Sequence, residues 1–237
     1  MSIALRVAVG LAILAVLLLA VAGPSYRIGL LALQNAFALM GAAAVAGVAA
    51  LLVAAGVGWL ADRRHDRMTR RIAAGAFVVA LFAVSIPLNW MRMGRNAPPI
   101  HDITTDLANP PQFEAIVPLR ADAPNSLERS EEVDTQQREG YEDIAPITLP
   151  QPPDQVFDRA LAVVQDNGWE IVTADKSAGR IEATATTRWF GFKDDVVVRL
   201  TAWGSGTRVD VRSVSRIGRS DVGTNARRIR RFLSALQ

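Results

Sequence analysis

Near the end of the chain, Ser215-Arg216-Ile217-Gly218-Arg219-Ser220-Asp221 leads into a stretch with helical apolar spacing. Two guanidinium groups, a glycine and the free backbone N–H groups of a helix start suit a phosphate or carboxylate. With two neighbours they form a candidate anion or ligand site: Arg212, Arg216, Arg219, Ser220, Asp221 and Asn225. Asp221 is itself an anion at this helix end and could satisfy those donors. Arg216 and Arg219 could equally pair with Asp194, Asp195 or Asp210 in a structural network. The network is the expected outcome.

His101 stands beside Asp102 and near Asp106, a combination that could orient a base or bind a metal. The only other histidine is His65, in a different region of the chain, and zinc held by one histidine is a poor arrangement. With no cysteine, thiol chemistry and thiolate metal sites are excluded. Ser205 lies in a turn, and no serine has the G-x-S-x-G setting of a nucleophile elbow. Asp194 and Asp195 are adjacent, so on a strand they point to opposite faces and cannot share a substrate. No catalytic residue, metal ligand or cofactor is expected. Trp189, Phe190 and Phe192 sit at a hairpin corner, where they either fold onto the core or project as a membrane-interface wedge. Core packing is the default.

These residues are positioned by two kinds of sequence. The first 91 residues carry three apolar runs, about 7–22, 37–60 and 72–91, each expected to cross a membrane. The first also fits a cleavable secretory signal, because Ala20-Val21-Ala22 precedes Gly23. Ile28 to Ala36 reads as an interfacial helix. Between the second and third runs, Asp62 to Arg71 holds five arginines. Such loops stay on the cytoplasmic side. The expected placement is therefore a bacterial inner membrane, multi-pass, with the C-terminal region periplasmic. Tyr26, Trp59 and Trp90 fall at span ends, as interfacial aromatics do. Ala46, Ala50, Ala54 and Gly58 form a small-residue stripe suited to close helix packing inside the chain. No acidic residue lies in any span, which argues against an ion pathway.

The excess positive charge belongs to this region. Residues 1–99 hold nine arginines against Asp62 and Asp66, whereas residues 100–237 hold 17 basic and 21 acidic groups. A nucleic-acid footprint is absent. Residues 92–147 read as an extended linker with an acidic segment at 121–143, packing partly on the domain.

Residues 148–237 carry the periodic patterns. A helix follows Pro153 and stops at Asn167-Gly168. Strands are expected at Trp169–Ala174, Ile181–Thr187, Val196–Trp203 and Arg208–Ser215, and a final helix over Val222–Leu236 with Ser220 or Asp221 as N-cap. The expected fold is a three-span α-helical membrane anchor followed by an α+β two-layer domain, with a four-stranded antiparallel sheet and two flanking helices.

Several stretches resemble a known family: Ile100-His101-Asp102-Ile103-Thr104-Thr105-Asp106 with Asn109-Pro110-Pro111-Gln112-Phe113, Gly168-Trp169-Glu170-Ile171, Trp189 to Asp195, and Val209 to Ala226. Over residues 98–237 the chain is similar to the family catalogued as domain of unknown function 1499. The resemblance implies domain identity and an envelope location, and brings no activity. The expected function is binding without catalysis, with the lipid bilayer, an envelope protein or an anionic lipid or metabolite as partner, and no nucleic acid. The alternative is a hydrolase or metal-dependent enzyme using His101, Asp102, Asp194 and Asp195.

Overall fold

The computed structural model describes residues 2–237. They divide into two units, Met1–Arg92 with Arg188–Gly191, and Met93–Thr187 with Phe192–Gln237.

The first unit contains three helices, α1 (Ile3–Arg27), α2 (Leu33–Arg63) and α3 (Arg67–Asn96). They are 25, 31 and 30 residues long, and each is long and apolar enough to cross a membrane. Each helix extends beyond the run read from the sequence. The helix expected at Ile28–Ala36 is instead a turn followed by the first residues of α2. Alanines line the contacts: Ala8, Ala12, Ala50, Ala54, Ala76 and Ala80 form one buried cluster. The α2 stripe thus packs within the chain, where small side chains let helix backbones approach closely. At Gly47 a Cβ would lie 2.6 Å from Val84 Cγ2, so no larger residue fits without displacement.

Four residues of a distant hairpin tip complete this unit. Phe190 is 1% exposed, with ring centroids 6.1, 5.6 and 5.9 Å from those of Tyr26, Phe37 and Trp90. Trp189 lies against Gly23, and Arg27 Nη1 donates to the Arg188 carbonyl at 2.9 Å. Phe190 is therefore buried, but among the aromatics at the helix ends instead of in the sheet core. Phe192 falls in the second unit.

The second unit is built on a six-stranded antiparallel sheet, not four strands. Its strands are β1 (Asp102–Thr104), β2 (Ile147–Leu149), β3 (Glu170–Asp175), β4 (Arg180–Thr186), β5 (Lys193–Trp203) and β6 (Gly206–Ser215). The order is β1-β6-β5-β4-β3, with β2 also paired to β6. Helices α5 (Pro153–Asp166) and α6 (Thr224–Leu236) cover one face. Val156, Phe157, Ala160, Ile229, Phe232 and Leu236 pack there on Ile181, Val196, Val198, Val209 and Val211. Strand alternation sends these valines to one side and Arg208, Asp210 and Arg212 to the other.

The segment expected as a linker packing partly on the domain carries regular structure. Residues 92–96 end α3, and the rest supplies β1, a 3-10 turn at Val117–Arg120 and helix α4 (Glu131–Gly140), capped by Ser130 Oγ, before leading into β2. Phe113 and Ile116 pack on Val197 and Val214, closing the polar face. The acidic segment is ordered for a specific reason. The Gln137 amide accepts from Thr104 N–H at 3.0 Å and donates to the Thr104 carbonyl at 2.6 Å. It replaces the next strand at the β1 edge, which would otherwise offer unpaired backbone groups.

Candidate functional site

The sheet face turned away from α5 and α6, beneath Phe113 and Ile116, carries a mosaic of arginines and carboxylates. Asp195, on β5, has a fully buried side chain. Its carboxylate accepts from Arg120 Nη1 at 2.6 Å, Arg216 Nε at 2.8 Å and Nη2 at 2.9 Å, and Thr184 Oγ1 at 2.7 Å. Burial pushes this carboxyl up. The bonds from Arg216, Thr184 and Arg120 outweigh it and hold Asp195 below the ordinary carboxylate range.

One strand over, Arg212 grips Asp102 through Nε at 3.1 Å and Nη2 at 2.8 Å, a bidentate fork. Arg129 Nη1 reaches the same carboxylate at 2.7 Å and its Nη2 reaches Asp134 at 2.7 Å. Towards the other end of β6, Arg199 and Arg208 each bridge Asp106 and Asp210, at 2.9 to 3.1 Å. Glu182, with no exposed side chain, accepts backbone N–H groups from Glu114 at 2.8 Å, Ala115 at 3.3 Å and Ile116 at 2.9 Å. That carboxylate occupies a nest that would otherwise bind an anion.

The six residues expected to form a ligand site are divided by the sheet. Arg212 and Arg216 point to the face away from α5 and α6 and are held by Asp102 and Asp195. Asp221 and Asn225 lie with α6 on the opposite face. The N-cap of α6 is Gly223, and Asp221 takes up nearby donors within the chain: its carboxylate accepts from Gly223 N–H and Asn225 N–H, both at 2.7 Å, and its carbonyl from Thr224 N–H. Burial, first of all, raises the Asp221 carboxyl above its ordinary value, against these two bonds. Asn225 joins Ser213 Oγ, Ser215 Oγ and the His101 carbonyl. Ser220 Oγ donates to the Pro98 carbonyl at 3.3 Å and accepts from Val222 N–H. Arg219 alone is exposed.

Asp194 and Asp195 do face opposite sides: Asp194 pairs with Arg228 of α6 at 2.5 Å. The His101 ring meets only the Arg219 carbonyl, at 3.4 Å from Nδ1. Among the described residues no three His, Cys, Asp or Glu side chains form a metal-binding group. Sequence reasoning missed Arg120, Arg129, Glu182 and Gln137. Alternating charge along β6 was the available signal, because a strand with Arg208, Asp210 and Arg212 on one face requires partners there.

What these elements define is an α+β domain with an internally neutralised sheet face, in a chain that also carries three long apolar helices. The family model described as protein of unknown function (DUF1499) matches residues 102–236, more than half of the chain, and the chain belongs to that family. No curated protein matches it.

Proposed function

We propose that this chain is a bacterial inner-membrane protein whose second unit lies outside the cytoplasm and works by binding, without catalysis. Its partner is an envelope protein or an anionic lipid or metabolite. The observation that carries this reading is the neutralisation of the carboxylates that chemistry would need. Asp102, Asp194 and Asp195 are each gripped by at least one guanidinium at 2.8 Å or less. A general base or metal ligand must be able to accept a proton or cation, and these oxygens are already committed to arginine. Exposed Arg219 leaves a positive group available on the surface. The orientation rests on the five arginines of Asp62 to Arg71, at the end of α2, in the turn and at the start of α3, whose transfer across a bilayer is costly.

Two measurements test the two halves of the reading. A reporter active only after export, fused behind Gln237, should be active while a cytoplasmic reporter is silent; the reverse pattern rejects the orientation. The purified full chain should turn over no phosphoester, ester or glycoside substrate, with or without divalent cations. Turnover that vanishes in His101→Ala while strand hydrogen exchange stays unchanged would replace binding with catalysis.

A further inference from the structure

Between the end of α2 and the start of α3 lies a cavity of about 350 Å³, lined by Ala61, Asp62, His65, Asp66, Arg67 and Arg70. The chain reverses there through Arg64-His65-Asp66, with His65 at φ 56°. Asp66 is engaged by the next helix, accepting from Thr69 N–H at 3.0 Å. Asp62 pairs with Arg70 at 2.6 Å, with both side chains more than half exposed. Among the described residues, Arg64, Arg67 and Arg71 have no carboxylate partner. Arg63 lies 4.0 Å above the Trp59 ring, which puts an interfacial aromatic one turn from the cavity.

We propose that this cavity is a binding site for the phosphate headgroup of an anionic phospholipid, with Arg67 and Arg70 as the phosphate-holding residues. Guanidinium forks match phosphate oxygens in bidentate fashion, and the surrounding loop adds positive potential that favours anionic over zwitterionic lipid. The Asp62–Arg70 pair is no obstacle. Exposed ion pairs are weak, so Arg70 exchanges its carboxylate for a phosphate at little cost. Asp62 then acts as a built-in competitor that tunes affinity. The inference rests on the helices crossing a bilayer, as proposed above, but not on which side the loop faces.

The test uses the full chain in nanodiscs of mixed phosphatidylglycerol and phosphatidylcholine, released into native mass spectrometry. Phosphatidylglycerol should be retained at least threefold over its share of the mixture. Arg67→Lys with Arg70→Lys keeps the charge that sets topology but removes the forks, and should erase most of that enrichment. Asp62→Asn alters only a surface ion pair, so it remains informative if the lysine variant inserts poorly; it should raise retention. Equal retention of both lipids, or an Asp62→Asn protein with unchanged retention, overturns the site. So does displacement of bound lipid by millimolar inorganic phosphate, which would mark a free-anion site. Failure of the chain to enter nanodiscs at all would instead overturn the membrane reading on which the site depends.

Discussion

Alanine fills the interior of the helical unit, whereas arginine and aspartate dominate one face of the sheet unit. The two choices follow from what each region must achieve. The helices are long and apolar enough to cross a membrane. In lipid there would be little hydrophobic driving force between them, so close backbone approach through small side chains would supply the packing energy. The sheet unit already has its hydrophobic layer on the α5 and α6 side. Its second face is covered by an irregular segment of 105–129 that has few large apolar residues to bury. Charge-assisted bonds from Arg120 and Arg129 fix that segment onto β5, β6 and β1. Such bonds add little net stability over a hydrophobic contact, but they are unforgiving when one partner is lost.

That asymmetry gives the largest expected effect. Asp195→Ala leaves Arg120 and Arg216 facing each other in a buried space, and breaking a buried pair costs about 3–5 kcal/mol. Hydrogen exchange on β5 and β6 should accelerate sharply in the full chain in detergent, with α1 and α2 peptides unchanged. If β5 and β6 exchange at wild-type rates, the network does not hold the sheet's covered face. The matching lesion in the helical unit is Gly47→Leu, which drives atoms into Val84. Overpacking of this kind costs about 1–3 kcal/mol, and thermal aggregation in detergent should begin at lower temperature. A neutral result would mean that the helices slide apart without penalty.

Acid should separate the units as well. The Asp195 carboxyl is held below its ordinary value, so the unfolded chain binds its proton first as pH falls. Stability from this group is complete above about pH 4, the unfolded value, and is lost as pH drops through the lower folded value. Strand exchange should therefore rise below about pH 4, and this acid sensitivity should be reduced in Asp195→Asn. The alanine cluster of the helices carries no such group.

The two units were unequally legible. Three long apolar runs announce themselves in any window, and the four longer strands show either alternation or an apolar run. Strands β1 and β2 are three residues each, too short to establish a period. Helix α4 has an acidic sequence with almost no apolar stripe, and its role depends on the single side chain of Gln137, which no composition rule singles out. Asp195 illustrates the limit on the network. Adjacency to Asp194 predicts opposite faces, but its partner Arg120 comes from 75 residues away, in a segment whose composition reads as unstructured. Phe190 shows a different limit. An aromatic triplet at a corner signals burial, yet only the fold reveals that Tyr26, Phe37 and Trp90 surround it.

The smallest effect is expected where the sheet unit breaks its own rule of pairing each buried polar group. Tyr141 is 8% exposed, and its hydroxyl has no hydrogen-bond partner. Burial, then the nearby Asp221 charge, pushes the phenol up to about 12, with Arg227 and Arg230 pulling it back. An unpaired buried hydroxyl contributes nothing that phenylalanine lacks and carries a desolvation cost. Tyr141→Phe should therefore be neutral or stabilising by up to about 1 kcal/mol. The sign of its alkaline effect follows from the raised value. Between about pH 10, the unfolded value, and the folded value the native state keeps a proton that the unfolded chain gives up, so stability falls as pH rises. Wild-type protein should lose stability across that window more steeply than Tyr141→Phe, read by strand exchange or thermal unfolding. A destabilised Tyr141→Phe protein would show that the hydroxyl makes a bond in solution, and would place Tyr141 with the paired groups after all.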